Sequence, residues 1–83
     1  MSLIARTPKQ LGETLRRYRL SAGLSQAELA ARAGIRQATI STIEAGHAAT
    51  RIDTITTLLA ALDLEFTVAP RSKGSEQDIE AIF

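Results

Sequence analysis

Apolar positions recur at helical spacing four times along the chain, and then the period changes. Leu11, Leu15, Tyr18 and Ala22 are separated by 4, 3 and 4 residues and share one helical face, while Glu13, Arg16 and Arg17 fall elsewhere. Ahead of them, Thr7-Pro8-Lys9-Gln10 reads as a helix start. Thr7 is the cap, Pro8 sits where its missing N–H costs nothing, and Gln10 closes a capping box; with Gly23 as the stop, the first helix is predicted over about 7–22. Ser25-Gln26-Ala27-Glu28 is a second capping box. It opens a short helix with Leu29, Ala30 and Ala33 inward, ended by Gly34. After the bend Gly34-Ile35-Arg36, a third helix runs from Gln37 to Ala45 with Ile40 and Ile43 inward, and Gly46 follows as its left-handed terminal residue. Thr50 and Asp53 cap a fourth, where Ile52, Ile55, Leu58, Leu59 and Leu62 form an apolar stripe.

Beyond Asp63 the period falls to two: Leu64, Phe66 and Val68 alternate with Glu65, Thr67 and Ala69, and Pro70 ends the run. This is one strand, and a lone strand cannot satisfy its own backbone. The chain contains no other strand-like run, so the expected partner is the same segment of a second copy, paired antiparallel about a two-fold axis. The sequence thus divides into a helical body at 7–63, a dimerising strand at 64–70, and a flexible tail at 71–83 too short and polar for a core of its own.

Composition narrows what such a body does. At 83 residues with 45% apolar content this is one small domain. It has no cysteine and a single histidine, His47, so neither a disulfide framework nor a zinc site is available. No Ser/His/Asp set, phosphate-cradling glycine loop or paired carboxylates can be assembled, which argues against an enzyme and against any cofactor. No signal-peptide core or membrane-length apolar run is present, so a cytoplasmic soluble protein is expected. The net charge of +1 conceals a polarity: residues 1–51 carry 8 basic and 3 acidic residues, net +5, and residues 52–83 carry 2 and 6, net −4. A basic body fits a polyanion as its partner.

Two short helices joined by a glycine turn form a helix-turn-helix unit, and the spacing can be checked position by position. With Gln26 first, Ala30 is fifth and small where the next helix crosses, and Gly34 is ninth at the turn. Ile40 and Ile43, fifteenth and eighteenth, wedge between the helices. A helix of this kind enters the major groove with its N-terminal residues at the base edges. Those residues are Arg36, Gln37, Ala38 and Ser41. Gln37 can pair bidentately with adenine, Arg36 can reach guanine or phosphate, Ala38 can touch a thymine methyl, and Ser41 can donate or accept. Gln26, Thr39, Thr42, Arg16, Arg17, His47 and Arg51 are the candidate phosphate contacts. Arg36 also occupies the cap position of the third helix, leaving N–H groups for an anion.

Leu24-Ser25-Gln26-Ala27-Glu28-Leu29-Ala30, followed by Gly34, Gln37, Ile40, Ile43-Glu44 and Gly46, resembles the lambda-repressor-like (Xre) DNA-binding family over roughly residues 8–62. Arg36-Gln37-Ala38-Thr39-Ile40-Ser41 together with Leu62-Asp63-Leu64-Glu65-Phe66-Thr67-Val68 is similar to the HipB-type antitoxins in particular. The resemblance implies an all-α, four- to five-helix domain with one short C-terminal β-strand paired across a homodimer through Leu64, Phe66 and Val68. It implies double-stranded DNA with an inverted-repeat operator and a HipA-type serine/threonine kinase toxin as partners. It further implies a structural ion pair between Arg19 and Glu44, and docking of the kinase on Ile79, Ile82 and Phe83. A stand-alone phage-type repressor, or a protein-interaction module on the same fold, are the rival uses of this domain.

Overall fold

The computed structural model describes residues 4–71. Among them the chain forms four helices: α1 (Pro8–Ser21), α2 (Gln26–Ala33), α3 (Gln37–Glu44) and α4 (Ile52–Ala61). None is long and apolar enough to cross a membrane. α3 packs on both α1 and α2, and α2 also packs on α4. The core is Leu15, Leu29, Ala30, Ile40, Ile43, Ile55, Leu58 and Leu59, with Ile40 fully excluded from solvent. Ala30 is small and buried where α2 meets α3, as the motif requires.

The helix starts divide into two kinds. Thr7 Oγ1 accepts the Gln10 N–H at 3.1 Å, and Pro8 is the first helical residue. The reciprocal half of the predicted box is displaced: Gln10 Oε1 accepts the N–H of Arg6, at 2.7 Å, rather than that of Thr7. At α2 the box is complete, with Ser25 Oγ and Glu28 Oε1 each taking the other's N–H at 3.0 Å. By contrast, α3 and α4 both start from an arginine, Arg36 and Arg51, with no side-chain cap. Thr50 was the expected cap of α4, but the helix begins one residue later and Asp53 is taken by Arg51.

The buried stripe of α1 is rotated from the predicted one. It runs through Gly12, Leu15 and Arg19, while Leu11 and Tyr18 are half-buried and Ala22 is exposed. The cause is at Gly12, where α1 and α3 touch backbone to backbone. A Cβ there would collide with the carbonyl oxygen of Ile43 and lie 2.8 Å from that of Glu44. α3 ends at Glu44, one residue short of the predicted Ala45. In α4 the stripe begins at Ile55; Ile52, the first helical residue, is 72% exposed.

Gly34 closes α2 at φ +69°, a left-handed conformation that turns the chain toward α3 without cost. Asp63 does the same work after α4 at φ +59°, and the Leu64 N–H bonds back to the Leu59 carbonyl at 2.7 Å. From Leu64 to Pro70 no strand is formed among the described residues. Leu64 is half-buried against the chain's own core, whereas Phe66 is 45% exposed and Val68 is wholly so. The expected strand therefore has no ladder within one chain, for the reason already evident in the sequence: the chain has no second extended run to pair it.

Candidate nucleic-acid interface

α3 buries Ile40 and Ile43 and turns the rest outward. Arg36, Gln37, Ala38 and Ser41 are all exposed, with Gln37 and Ser41 one turn apart on the same face. Neutral donors and acceptors on a helix with free access to solvent are what base edges require. The starts of α3 and α4 flank a cleft of about 380 Å³ whose lining includes Arg36, Ala38, Thr39, Thr42, Thr50 and Arg51. The uncapped start of α3 and the Arg36 guanidinium bias this cleft toward positive, since a helix N-terminus carries roughly half a unit charge, while the charge of Arg51 is offset by Asp53 in the first turn of α4. The cleft thus joins two candidate base contacts, Arg36 and Ala38, to three candidate phosphate contacts, Thr39, Thr42 and Arg51, and adds Thr50, whose spacing to Asp53 predicts a cap.

Two of these side chains are already engaged. Arg51 donates twice to Asp53, from Nε at 3.1 Å and from Nη2 at 2.8 Å. The hydrogen bonds and charge of Arg51 hold the Asp53 carboxyl below its ordinary value. Both side chains are well exposed, so the pair adds little stability and phosphate oxygens compete directly for the guanidinium. Thr42 Oγ1 donates to the Ala38 carbonyl at 2.9 Å. Its hydrogen is used, and it presents lone pairs, which suit an amino group better than a phosphate oxygen.

Behind the exposed face lies a buried ionic junction of α1, α2 and α3. Arg19 Nε donates to Glu44 Oε2 at 2.7 Å, Nη2 to Oε1 at 3.0 Å, and Nη1 to the Leu24 carbonyl at 2.8 Å. Arg19 is 7% exposed, and no buried side-chain polar atom among the described residues lacks a partner. Burial alone would raise the Glu44 carboxyl; the hydrogen bonds from Arg19 and Gln26 and the charges of Arg19 and Arg16 outweigh it and hold the group below its ordinary value. The hydrogen bonds to Glu44 raise Arg19 in turn, against the effect of its burial. The pair expected from the family resemblance is therefore present in this chain. The third member was not legible: Gln26 Nε2 donates to Glu44 Oε1 at 3.1 Å across 18 residues of sequence, and no spacing rule links a helix start to another helix's end.

The other sequence candidates are scattered. Arg16 is exposed on α1, near enough for its charge to act on Glu44. Arg17 lines a separate hollow of about 160 Å³ with Ile4, Gln10, Glu13 and Thr14, and the two hollows share no residue. His47 is exposed, and its N–H donates to the Thr42 carbonyl at 3.3 Å. Ile79, Ile82 and Phe83 lie outside the described residues, as does all of the 71–83 tail beyond Arg71.

Four helices, a glycine turn between α2 and α3, and an outward polar face on α3 define a helix-turn-helix domain. The helix-turn-helix family model matches residues 15–68, and the chain belongs to that family. Within it, the chain is 34% identical to Antitoxin HipB of Escherichia coli strain K12 over 74 residues, covering 89% of this chain and 84% of the relative. In three dimensions it is similar to a HipB variant in complex with an O2 20mer, with a TM-score of 0.78 and 34% identity over 84% of this chain and 97% of that one. It is likewise similar to HipB in a HipA–HipB–O2–O3 complex, with a TM-score of 0.76 and 33% identity over 83% and 97% of the two chains.

Proposed function

We propose that this chain is a sequence-specific DNA-binding repressor and the antitoxin of a HipA-type kinase, acting in the cytoplasm on its own operator and without catalysis of its own. The observation that carries the reading is the exposed polar edge of α3 beside a positive cleft, on a fold whose similar structures include HipB in complex with a 20mer and with HipA. Arg36, Gln37, Ala38 and Ser41 read bases. Gln26, Thr39, Arg51 and His47 meet the backbone, with Arg16 and Arg17 adding charge at longer range. Thr42 stands between the two groups as an acceptor.

Gln37→Ala should weaken binding to the operator by about 1–3 kcal/mol and relax the preference at one base pair, because a bidentate adenine contact is lost. Arg16→Ala should instead weaken all sequences alike and lower the salt slope by about one. Titrating both variants against the upstream DNA and a scrambled duplex at two salt concentrations checks the division. A Gln37→Ala loss that is equal on both duplexes would place base reading elsewhere.

Two copies join through residues 64–70, so that the two α3 helices reach successive major grooves on one face of an inverted repeat. The support is the exposure of Phe66 and Val68, apolar surface that a second chain would cover. Phe66→Asp should yield a folded monomer by light scattering and a large loss of operator affinity; unchanged mass would remove the strand from the interface. The kinase contact is assigned to Ile79, Ile82 and Phe83. Deleting residues 72–83 should abolish co-purification with the adjacent gene product while leaving DNA binding intact, and retained co-purification would move the contact to the helical body.

A further inference from the structure

Gln26 is the first residue of α2, and its carboxamide faces two ways. On the protein side Nε2 donates to Glu44 Oε1, the same oxygen that takes Arg19 Nη2. Glu44 is itself held in place: its side chain is 5% exposed and accepts from Arg19 at both oxygens. A carboxamide flipped by 180° exchanges donor for acceptor, and normally either orientation is open to a surface glutamine. Here only one is, because a carboxylate accepts at both oxygens and would repel an amide oxygen turned toward it. Nε2 is pinned inward by one hydrogen, and its second hydrogen is left for an acceptor outside the chain.

We infer that Glu44, besides closing the ion pair with Arg19, is a positioning residue for nucleic-acid backbone contact: it fixes the Gln26 carboxamide with a donor outward at the start of α2. The inference rests on the DNA-binding reading above. Gln26 is the first residue of a helix of eight residues, so a phosphate oxygen at that helix start would have side-chain and main-chain donors on offer. A preset side chain does not have to be ordered on binding, and such ordering commonly accounts for about three- to tenfold in affinity. The largely buried ion pair is thereby connected, through Gln26, to the start of α2.

The test is the cost of Gln26→Ala measured twice. Fluorescence anisotropy on a random duplex of about 20 base pairs gives the Kd of the wild type, Q26A, E44Q and the double variant, with circular dichroism confirming folding. Q26A should weaken binding about three- to tenfold in the wild-type background and by a clearly smaller factor in the E44Q background, since a neutral amide at position 44 offers Gln26 a single, weaker acceptor and holds the donor less firmly. An equal factor in both backgrounds overturns the inference. Should E44Q not fold, E44D serves, because it keeps the charge for Arg19 and withdraws the carboxylate from Gln26. A second readout needs no DNA: in the free protein the Gln26 side-chain amide should show an ordered heteronuclear NOE, unlike that of exposed Gln37, and E44D should make the two alike. A Gln26 amide as mobile as that of Gln37 in the wild type overturns the positioning role whatever the DNA result. An ordered amide without any DNA binding would instead refute the repressor reading and, with it, the use of the positioned donor.

Discussion

Glu44→Ala should destabilise the domain by about 3–5 kcal/mol, the largest single loss expected here. The substitution removes both acceptors of a guanidinium that is 7% exposed, leaving Arg19 one carbonyl, that of Leu24. Removing one partner of a buried pair costs about 3–5 kcal/mol, because the surviving charge is left desolvated. The whole stability of a small domain is about 5–15 kcal/mol, so the loss consumes much of it. Urea titration followed by circular dichroism measures it directly, and a loss below about 1 kcal/mol would mean that water reaches Arg19 freely.

The same pair gives stability a pH dependence of defined sign. Glu44 is held below its ordinary value in the folded chain, so its contribution is complete above the unfolded carboxylate range, near pH 4.3, and is lost as the pH falls through the lower folded value. Arg19 is shifted upward from an already high value and stays charged throughout, so it adds no slope in this window. The Glu44→Gln variant, which cannot titrate at this position, should therefore lose less stability between about pH 5 and pH 2 than the wild type does.

Gly12→Ala should destabilise by about 1–3 kcal/mol, against the usual benefit of alanine in a helix interior, which is about 0.5–1 kcal/mol. The sign is decided by what the new methyl group meets. It collides with the Ile43 carbonyl and lies 2.8 Å from the Glu44 oxygen and 3.0 Å from its carbon, all backbone atoms that no rotamer change can move. α1 and α3 would have to separate, stretching the Arg19–Glu44 contact at the same junction. The midpoint of urea unfolding should drop with little change in slope; a stabilised variant would show that the two helices do not approach this closely.

The sequence disclosed what depends on local rules and withheld what depends on contact across the fold. The Ser25 and Glu28 capping box, the Gly34 turn and the inward Ile40 and Ile43 were readable because each needs only neighbours in the chain. The rotation of the α1 stripe toward Gly12 was not, because an amphipathic pattern counts apolar side chains and Gly12 has none; its partner is a backbone 31 residues away at Ile43. The start of α4 misled for a related reason. Thr50 and Asp53 have the spacing of a cap, but Arg51 between them takes the carboxylate and shifts the first turn by one residue. In the candidate site, the exposure of Arg36, Gln37, Ala38 and Ser41 on α3 followed from position in the motif. The cleft shared with α4 and the hold of Glu44 on Gln26 depend on elements meeting in space.

Asp63 carries a consequence for evolution in this fold. Other helix ends here use glycine for a positive φ, whereas Asp63 adopts φ +59° with a side chain attached. Aspartate tolerates that region better than most residues, and a β-branched one hardly at all. The direction in which Leu64 leaves α4 is thus set by one torsion at one residue. In a two-fold assembly built on residues 64–70, that torsion acts as a hinge setting, and its error is doubled by symmetry at the two recognition helices. Substitution at position 63 is therefore a short mutational route by which relatives of this chain could come to favour operators whose half-sites are differently spaced, with the exposed residues of α3 unchanged.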